Sequence, residues 1–223
     1  MPASPEHWKL AAELCYRVPD AIVSMVSYPL APHSAAPVAF PQLETLYHAL
    51  MRLSSEADES VTFAGDSAGG NVVLCLVMHA LSRNPQALAP ESLLVVSPAC
   101  DLRQQDESDK SVERNDPILR LPFINWTAKG WVAEWDPSDP RVTPVNGDLE
   151  VLVRRGVQVF GVTGSYDVLT PPAAKFREQC KQVGVQGEWL DWQGQMHCFA
   201  LAWIYGLSES KQAKDWMVDV LSR

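Results

Sequence analysis

The sequence predicts an α/β protein with a mostly parallel sheet and helices on both faces. Two observations indicate this class. Short, continuous apolar runs, typical of buried parallel strands, alternate with amphipathic segments of helical length. One of these runs, residues 61–64, leads directly into the block G-D-S-A-G at residues 65–69, and the apolar segment 72–81 follows at once. A strand, a glycine-flanked serine and a helix in this order predict a nucleophile elbow with Ser67 at the bend.

The elements before that block follow from spacing and from proline positions. A helix is predicted over residues 6–17, because apolar side chains recur there at helical spacing, namely Trp8, Ala11, Ala12 and Cys15. Residues 21–27 are β-rich and predict a strand. A proline-stiffened loop follows at residues 28–32, and Pro41 is expected to open a second helix.

The elements after the block continue the alternation. Strands are predicted at residues 93–97, 157–163 and 187–192, the last one more amphipathic than the others. Apolar side chains at helical spacing predict a helix around Phe176 and a closing helix around Trp216. Residues 103–150 interrupt the alternation of strands and helices with charged, aromatic and proline-rich tracts. They predict a small lid inserted in a single domain that spans residues 1–223.

Composition and charge exclude several classes of protein. A formal charge of −9 argues against a nucleic acid or an anionic membrane surface as partner. No apolar run is long enough to span a membrane, and the first residues lack the pattern of a signal peptide. The five cysteines are scattered without metal-ligand spacing, which favours a reduced, cytoplasmic protein without a metal or other cofactor. The oligomeric state is left open.

A catalytic triad is predicted from where polar residues follow the strands. A serine hydroxyl becomes a good nucleophile when an imidazole takes its proton and a carboxylate orients that imidazole. Asp167 follows the strand 157–163, and His197 lies on the loop after the last strand. The carboxyl ends of parallel strands meet at one edge of a sheet, so both should approach Ser67, in the chain order Ser, Asp, His.

Other histidines and acids are weaker candidates for these two roles. His7 and His48 lie in amphipathic helices, and His79 lies too far along the elbow helix to reach Ser67. His33 lies in a loop after a strand, but in the wrong chain order. Among the acids, Asp101 also follows a strand and is the rival of Asp167, whereas Asp191 lies inside a strand. Asp136 and Asp139 fit turns of the lid.

These blocks together resemble the hormone-sensitive-lipase-like branch of the α/β-hydrolases. The resemblance rests on Y-P-L-A-P at residues 28–32, G-D-S-A-G-G at 65–70, S-P-A-C-D-L at 97–102, and the loops that carry Asp167 and His197. It implies a Ser67–Asp167–His197 triad in a carboxylic-ester hydrolase that works through an acyl-enzyme. It also favours esters of hydrophobic small molecules, such as those of secondary metabolism, as substrates.

The departures from this family pattern concern the oxyanion hole. Members of the family carry an H-G-G-G loop upstream of the Y-R-L-A-P block, but the first glycine of this chain is Gly65, and Pro29 replaces the arginine. The Ala68 N–H would then be the remaining hydrogen-bond donor of the oxyanion hole. Each missing donor typically lowers the reaction rate by a factor on the order of 10²–10³. We therefore expect an N-terminally shortened hydrolase with impaired activity, in which the strands 21–27 and 61–64 either pair directly or belong to a longer natural chain.

Three functions are compatible with these residues. The first is a serine esterase that forms an acyl-enzyme on Ser67. The second is a weakly catalytic or non-catalytic protein that binds an apolar small molecule, although His197 is retained. The third is a thioesterase or acyl-transfer enzyme of a biosynthetic pathway, with the same triad and a different acyl donor.

Overall fold

The computed structural model describes residues 3–103 and 110–223. Its α-helices are α1 (Pro5–Arg17), α2 (Ala36–Glu56), α3 (Ala68–Arg83), α4 (Lys110–Glu113), α5 (Leu121–Val132), α6 (Glu150–Arg154), α7 (Thr170–Val183) and α8 (Ser208–Leu221). The strands are β1 (Thr62–Asp66), β2 (Ser92–Val96), β3 (Gln158–Gly164) and β4 (Trp189–Trp192). Short 3₁₀-helices span Pro144–Asn146 and Phe199–Tyr205.

The four strands form one parallel sheet in the order β1-β2-β3-β4. Because side chains alternate along a strand, β2 is apolar on both faces: Leu93 and Val95 join the core on one side, Leu94 and Val96 the core on the other. The first core is built with α2, α3, α6 and α7, and the second with α8 and the 3₁₀-helix Phe199–Tyr205. The predicted α/β class with helices on both faces is confirmed.

Two helices differ from the sequence prediction. Helix α2 begins at Ala36, with Pro37 in its first turn, so Pro41 lies inside the helix and does not open it. Proline at the first turn costs no intrahelical hydrogen bond, and Pro37 occupies that position first. In α1 the apolar side chains at helical spacing do not form a buried face: Trp8 is 58% exposed, while Leu10 packs toward the second core.

The segment 21–27 is not a strand in the structure. It runs without regular secondary structure and is largely exposed, with Ile22 80% exposed. A β-rich composition produces a strand only where a neighbouring strand supplies hydrogen-bond partners, and β1 pairs only with β2 among the described strands. The direct pairing of this segment with the elbow strand does not occur in the described part of the chain.

The inserted region between β2 and β3 packs against the body of the domain. The polar tract predicted at its start includes residues 104–109, which lie outside the described residues. Helix α5 buries Leu121 and Ile124 against Val168 and Leu169, and Trp131 contacts the ring of Tyr28 edge-on at 6.4 Å. Within the described residues, no helix combines the length and apolar composition that crossing a bilayer requires.

Helix α1 is attached to the elbow strand by an ion pair. The Nε2 atom of His7 lies 3.0 Å from Oδ1 of Asp66, the last residue of β1. The hydrogen bond to Asp66 raises the pKa of His7 above 6.5, and partial burial opposes this rise. On the other side of the ring, His7 Nδ1 accepts the Ser4 N–H at 2.9 Å and lies 2.8 Å from Ser4 Oγ. The His7–Asp66 pair joins the first helix to the residue that precedes Ser67.

We predict that His7→Ala destabilises the protein most at low pH. Because the folded-state pKa of His7 is raised, proton binding favours the folded state. That stabilisation is complete below about pH 6.5 and is lost as the pH rises through the raised value. Urea unfolding at a series of pH values should show a deficit of roughly 1 kcal/mol in the free energy of unfolding at pH 5.5, and this deficit should shrink as the pH rises through the raised pKa of His7. His33→Ala, in an exposed loop, is the control, and an equal deficit at all pH values would contradict the prediction.

Candidate active site

Ser67 lies at a sharp bend between β1 and α3. Its backbone angles are φ 52° and ψ −117°, a strained conformation for a residue with a side chain. The surrounding structure holds it there, because the Ser67 N–H donates to Val96 O at 2.9 Å and the Ser67 carbonyl accepts from Ala99 N at 3.1 Å. The bend therefore places the Ser67 hydroxyl at the carboxyl edge of the sheet, as the elbow prediction requires.

The glycines of the motif have unequal steric roles at this bend. A Cβ at Gly65 would lie 2.5 Å from the backbone of Gly69, and one at Gly70 would lie 2.9 Å from Pro98 Cβ. A Cβ at Gly69 would meet nothing within 4 Å. Only the first and the last of these three glycines are thus needed for the close approach of strand, helix and loop.

The structure brings the three predicted site residues together. His197 Nε2 lies 3.0 Å from Ser67 Oγ, and His197 Nδ1 lies 3.0 Å from Asp167 Oδ2. The Asp167 side chain is fully buried, and His197 is 9% exposed. Both distances are those of hydrogen bonds, so the hydroxyl, imidazole and carboxylate form one continuous chain across 130 residues of sequence. This geometry can pass a proton from Ser67 to an imidazole whose other nitrogen is held by a carboxylate.

The loop that carries His197 is fixed by a second serine. Ser97, directly after β2, also has positive φ (47°), and its Oγ accepts the Cys198 N–H at 3.0 Å. Cys198 is itself left-handed, with φ 51°, and its Sγ lies 3.4 Å from His197 Nε2 and 3.8 Å from Asp66 Oδ2. Burial raises the pKa of the Cys198 thiol well above its usual range, so the sulfur stays protonated beside the imidazole.

The sequence contains no signal for the roles of these supporting residues. In it, Ser97 is part of the S-P-A-C-D-L block, and Cys198 is one of five scattered cysteines. Their roles come from positive φ angles and from contacts between loops, and neither leaves a local pattern in the sequence. The same holds for His7, for which a helical position alone predicts no contact with the elbow.

The rival candidates are engaged elsewhere. Asp101 pairs with Arg103, and Asp191 pairs with Arg177 and accepts a hydrogen bond from Thr163 Oγ1. His79 lies 3.8 Å from Glu44, far from the bend on α3. In the part of the chain that the structure describes, no group of three or more histidine, cysteine or acidic side chains could hold a metal ion.

Ala68 is the first residue of α3, immediately after Ser67. The first N–H groups of a helix have no acceptor within the helix, and the helix dipole makes this end favourable for negative charge. The backbone at Ala68 thus lies next to the Ser67 hydroxyl at the end of the helix that favours negative charge.

We predict that Gly65→Ala and Gly69→Ala have opposite outcomes. The Cβ at residue 65 must displace the backbone of Gly69 and should destabilise the protein by about 1–3 kcal/mol and shift the bend. Gly69→Ala fills open space inside α3 and should stabilise the helix by up to about 1 kcal/mol. Thermal unfolding of both variants checks this pair, and equal destabilisation would contradict the steric explanation.

Comparisons with known proteins agree with this architecture. A sequence profile of the α/β-hydrolase fold matches residues 2–201. An esterase from Acinetobacter venetianus is 30% identical over 210 residues, which are 93% of this chain and 66% of that esterase. Carboxyl esterase 2 of the mycorrhizal fungus Tuber melanosporum superposes on 100% of this chain and 73% of its own, with a TM-score of 0.86 and 20% identity.

A hormone-sensitive lipase from a metagenome library superposes on 87% of this chain and 64% of its own, with a TM-score of 0.75 and 24% identity. The chain spans about two-thirds or less of the curated relatives that it matches. The chain therefore belongs to the α/β-hydrolase fold family, as its sequence motifs predicted, and its fold is similar to that of a hormone-sensitive lipase.

Proposed function

We propose that this chain is a serine esterase that cleaves carboxylic esters of hydrophobic small molecules. The observation that carries the proposal is the unbroken series of hydrogen-bond distances from Asp167 through His197 to Ser67. The Acinetobacter relative is named an esterase, which favours ester hydrolysis over other reactions that use the same three residues.

In the proposed mechanism His197 acts first as a base. Its Nε2 takes the hydroxyl proton of Ser67 while Ser67 Oγ attacks the ester carbonyl carbon, and a tetrahedral oxyanion forms. Asp167 holds Nδ1–H and stabilises the imidazolium. The proton on Nε2 then passes to the leaving alcohol, which gives the acyl-enzyme. Water, deprotonated by His197, hydrolyses the acyl group and restores Ser67.

The oxyanion would be held by the Ala68 N–H at the start of α3. Stabilisation by fixed donors is often the largest single contribution to such a reaction, and one missing donor costs on the order of 10²–10³ in rate. Residues 1–64 contain no glycine, so they do not include a glycine-rich donor loop of the kind implied by the family resemblance. We therefore propose that residues 1–223 by themselves turn over esters slowly.

The inserted region supports an apolar substrate. Helix α5 packs on Val168 and Leu169, the two residues that follow Asp167, and thus borders the proposed site. Its outer side carries Phe123 and Trp126, which are 44% and 66% exposed and stack in a tilted pair with ring centroids 6.3 Å apart. Exposed aromatic side chains on a helix that packs against the acid loop favour contact with a hydrophobic ligand.

We expect Ser67→Ala to abolish both covalent labelling and turnover. A fluorophosphonate probe should label wild-type Ser67, identified by peptide mass spectrometry, and hydrolysis of p-nitrophenyl butyrate should fall by on the order of 10³-fold or more in the variant. Ser82→Ala, on the exposed end of α3, is the matched control and should behave as wild type. Absence of labelling together with absence of hydrolysis in the wild-type chain would leave the binding-protein alternative. Faster turnover of a matched thioester would indicate the thioesterase.

Asp167→Asn and Asp101→Asn separate the two candidate acids. The amide at residue 167 no longer stabilises the imidazolium, so kcat should fall by on the order of 10²–10⁴-fold. The amide at residue 101 changes a pair with Arg103, and kcat should stay within tenfold of wild type. Steady-state kinetics with p-nitrophenyl butyrate measures kcat for both variants. A larger loss of kcat in Asp101→Asn than in Asp167→Asn would assign the catalytic acid to Asp101.

A further inference from the structure

Asp116 is a buried carboxylate that the proposed mechanism does not use. It lies in the inserted region between α4 and α5, and only 1% of its surface is exposed. Its Oδ1 accepts the N–H groups of Ile118 and Leu119, at 2.8 and 3.0 Å, which closes its own turn. Its Oδ2 leaves that turn and accepts the Val168 N–H at 3.0 Å. Val168 is the residue directly after Asp167.

The backbone N–H groups of the acid loop, residues 165–170, show why this bond matters. The acceptors, in order along the loop, are Trp192 O, Gln195 O, Gly164 O, Asp116 Oδ2, Asp167 Oδ1 and Asp167 O, at 2.9 to 3.0 Å. Five of these six acceptors belong to the loop itself, to the end of β3, to β4 or to the segment after it. Only the Val168 N–H is satisfied by the inserted region. A buried N–H without a partner is costly, so removing Asp116 would leave that N–H unpaired in the loop that holds the acid.

Apolar packing places this hydrogen bond in a water-poor environment. Val168 and Leu169 are 0% and 3% exposed, and they pack with Ala99, Leu121 and Ile124 in one cluster. Hydrogen bonds to an ionised carboxylate are stronger in such surroundings than in water. The inserted region is therefore attached to the acid loop by the hydrogen bond from the Val168 N–H to the Asp116 carboxylate and by one apolar cluster.

We propose that Asp116 is a positioning residue for the catalytic acid. By holding the Val168 N–H it fixes the loop conformation in which Asp167 Oδ2 reaches His197 Nδ1, so the inserted region acts as a clamp on the acid. The inference rests on the proposed function, since it assigns Asp116 a role in the same reaction. Asp116 touches no reacting atom and acts through Asp167.

The chemistry of the side chain predicts a graded series of variants. The aspartate offers two oxygens to three N–H groups. Asparagine keeps the shape but has one acceptor oxygen, so it can close its own turn or bind Val168. Alanine has none. A displacement of about 1 Å in a catalytic group can cost on the order of 10² in rate.

A kinetic double-mutant cycle tests the proposal. Asp116→Ala should lower kcat for p-nitrophenyl butyrate by about 10–100-fold with KM within threefold, and Asp116→Asn should fall between Asp116→Ala and wild type. Added to Asp167→Asn, Asp116→Ala should lower kcat less than threefold further, since its effect acts through that acid. Losses that multiply in the double variant, or an unchanged kcat in a folded Asp116→Ala protein, would overturn the proposal.

The matched control is Asp136→Ala. Asp136 closes a turn of the same region by accepting the Ser138 N–H at 2.8 Å, but it is exposed and outside the cluster around Val168. Asp136→Ala should leave kcat within twofold of wild type. An equal loss of kcat in this variant would mean that any loosened turn impairs the site, and the proposal would fail.

Amide hydrogen exchange tests, independently of activity, whether Asp116 holds the acid loop. In Asp116→Ala the peptide covering residues 165–170 should exchange on the order of tenfold faster than in wild type, and in Asp136→Ala it should not. Unchanged exchange in Asp116→Ala would show that the loop is held without this residue. If wild type neither hydrolyses esters nor labels at Ser67, the proposed function fails, while the exchange measurement still decides whether Asp116 holds the acid loop.

Discussion

The strained backbone at Ser67 is the constraint around which the described structure is arranged. A residue with a side chain at φ 52° and ψ −117° is costly, and it persists because its neighbours leave no alternative. The strand before it pairs with β2, and the helix after it packs closely against Gly65. Its N–H donates to Val96 O at the end of β2, and its carbonyl accepts the N–H of Ala99 in the segment after β2. The bend places the Ser67 hydroxyl at the carboxyl edge of the sheet, where side chains from other loops can contact it.

The parallel sheet brings those loops to the same edge in chain order. Ser67 follows β1, Ser97 follows β2, Asp167 follows β3 and His197 follows β4. These loops are also bonded to each other: Ser67 O to Ala99 N, Ser97 Oγ to Cys198 N, and Gln195 O to Tyr166 N. The relative positions of hydroxyl, imidazole and carboxylate therefore depend on bonds between loops as well as on the strands.

The periphery of the site is less regular than its centre. The elbow strand β1 is at the edge of the described sheet, and the extended segment 21–27 lies exposed without pairing to it. On this side α1 is attached to the strand through the His7–Asp66 pair. The inserted region is bound to the acid loop after β3 by Asp116 and by the cluster around Val168. Contacts made by side chains, without strand pairing, therefore attach α1 and the inserted region to the elements that carry the proposed triad.

The sequence alone predicted the fold class, the four paired strands within a few residues, and the positions of Ser67, Asp167 and His197 on loops at one edge. These features follow from local patterns: continuous apolar runs, glycines around a serine, and polar residues after strands. Where local pattern and tertiary context disagree, the prediction is wrong. Residues 21–27 have the composition of a strand but no paired neighbour, and Pro37, not Pro41, lies in the first turn of α2.

Only the tertiary structure decided which side chains support the site. Asp116 and Val168 are 52 residues apart, His7 and Asp66 are 59 apart, and Ser97 and Cys198 are 101 apart. No periodicity or motif links such pairs, because their contact depends on how loops from different strands pack after the sheet has formed. The sequence determined which residues could do the chemistry, since residue type and position after a strand are local properties. The distances that join them depend on the packed fold, because each one is the sum of many non-local contacts.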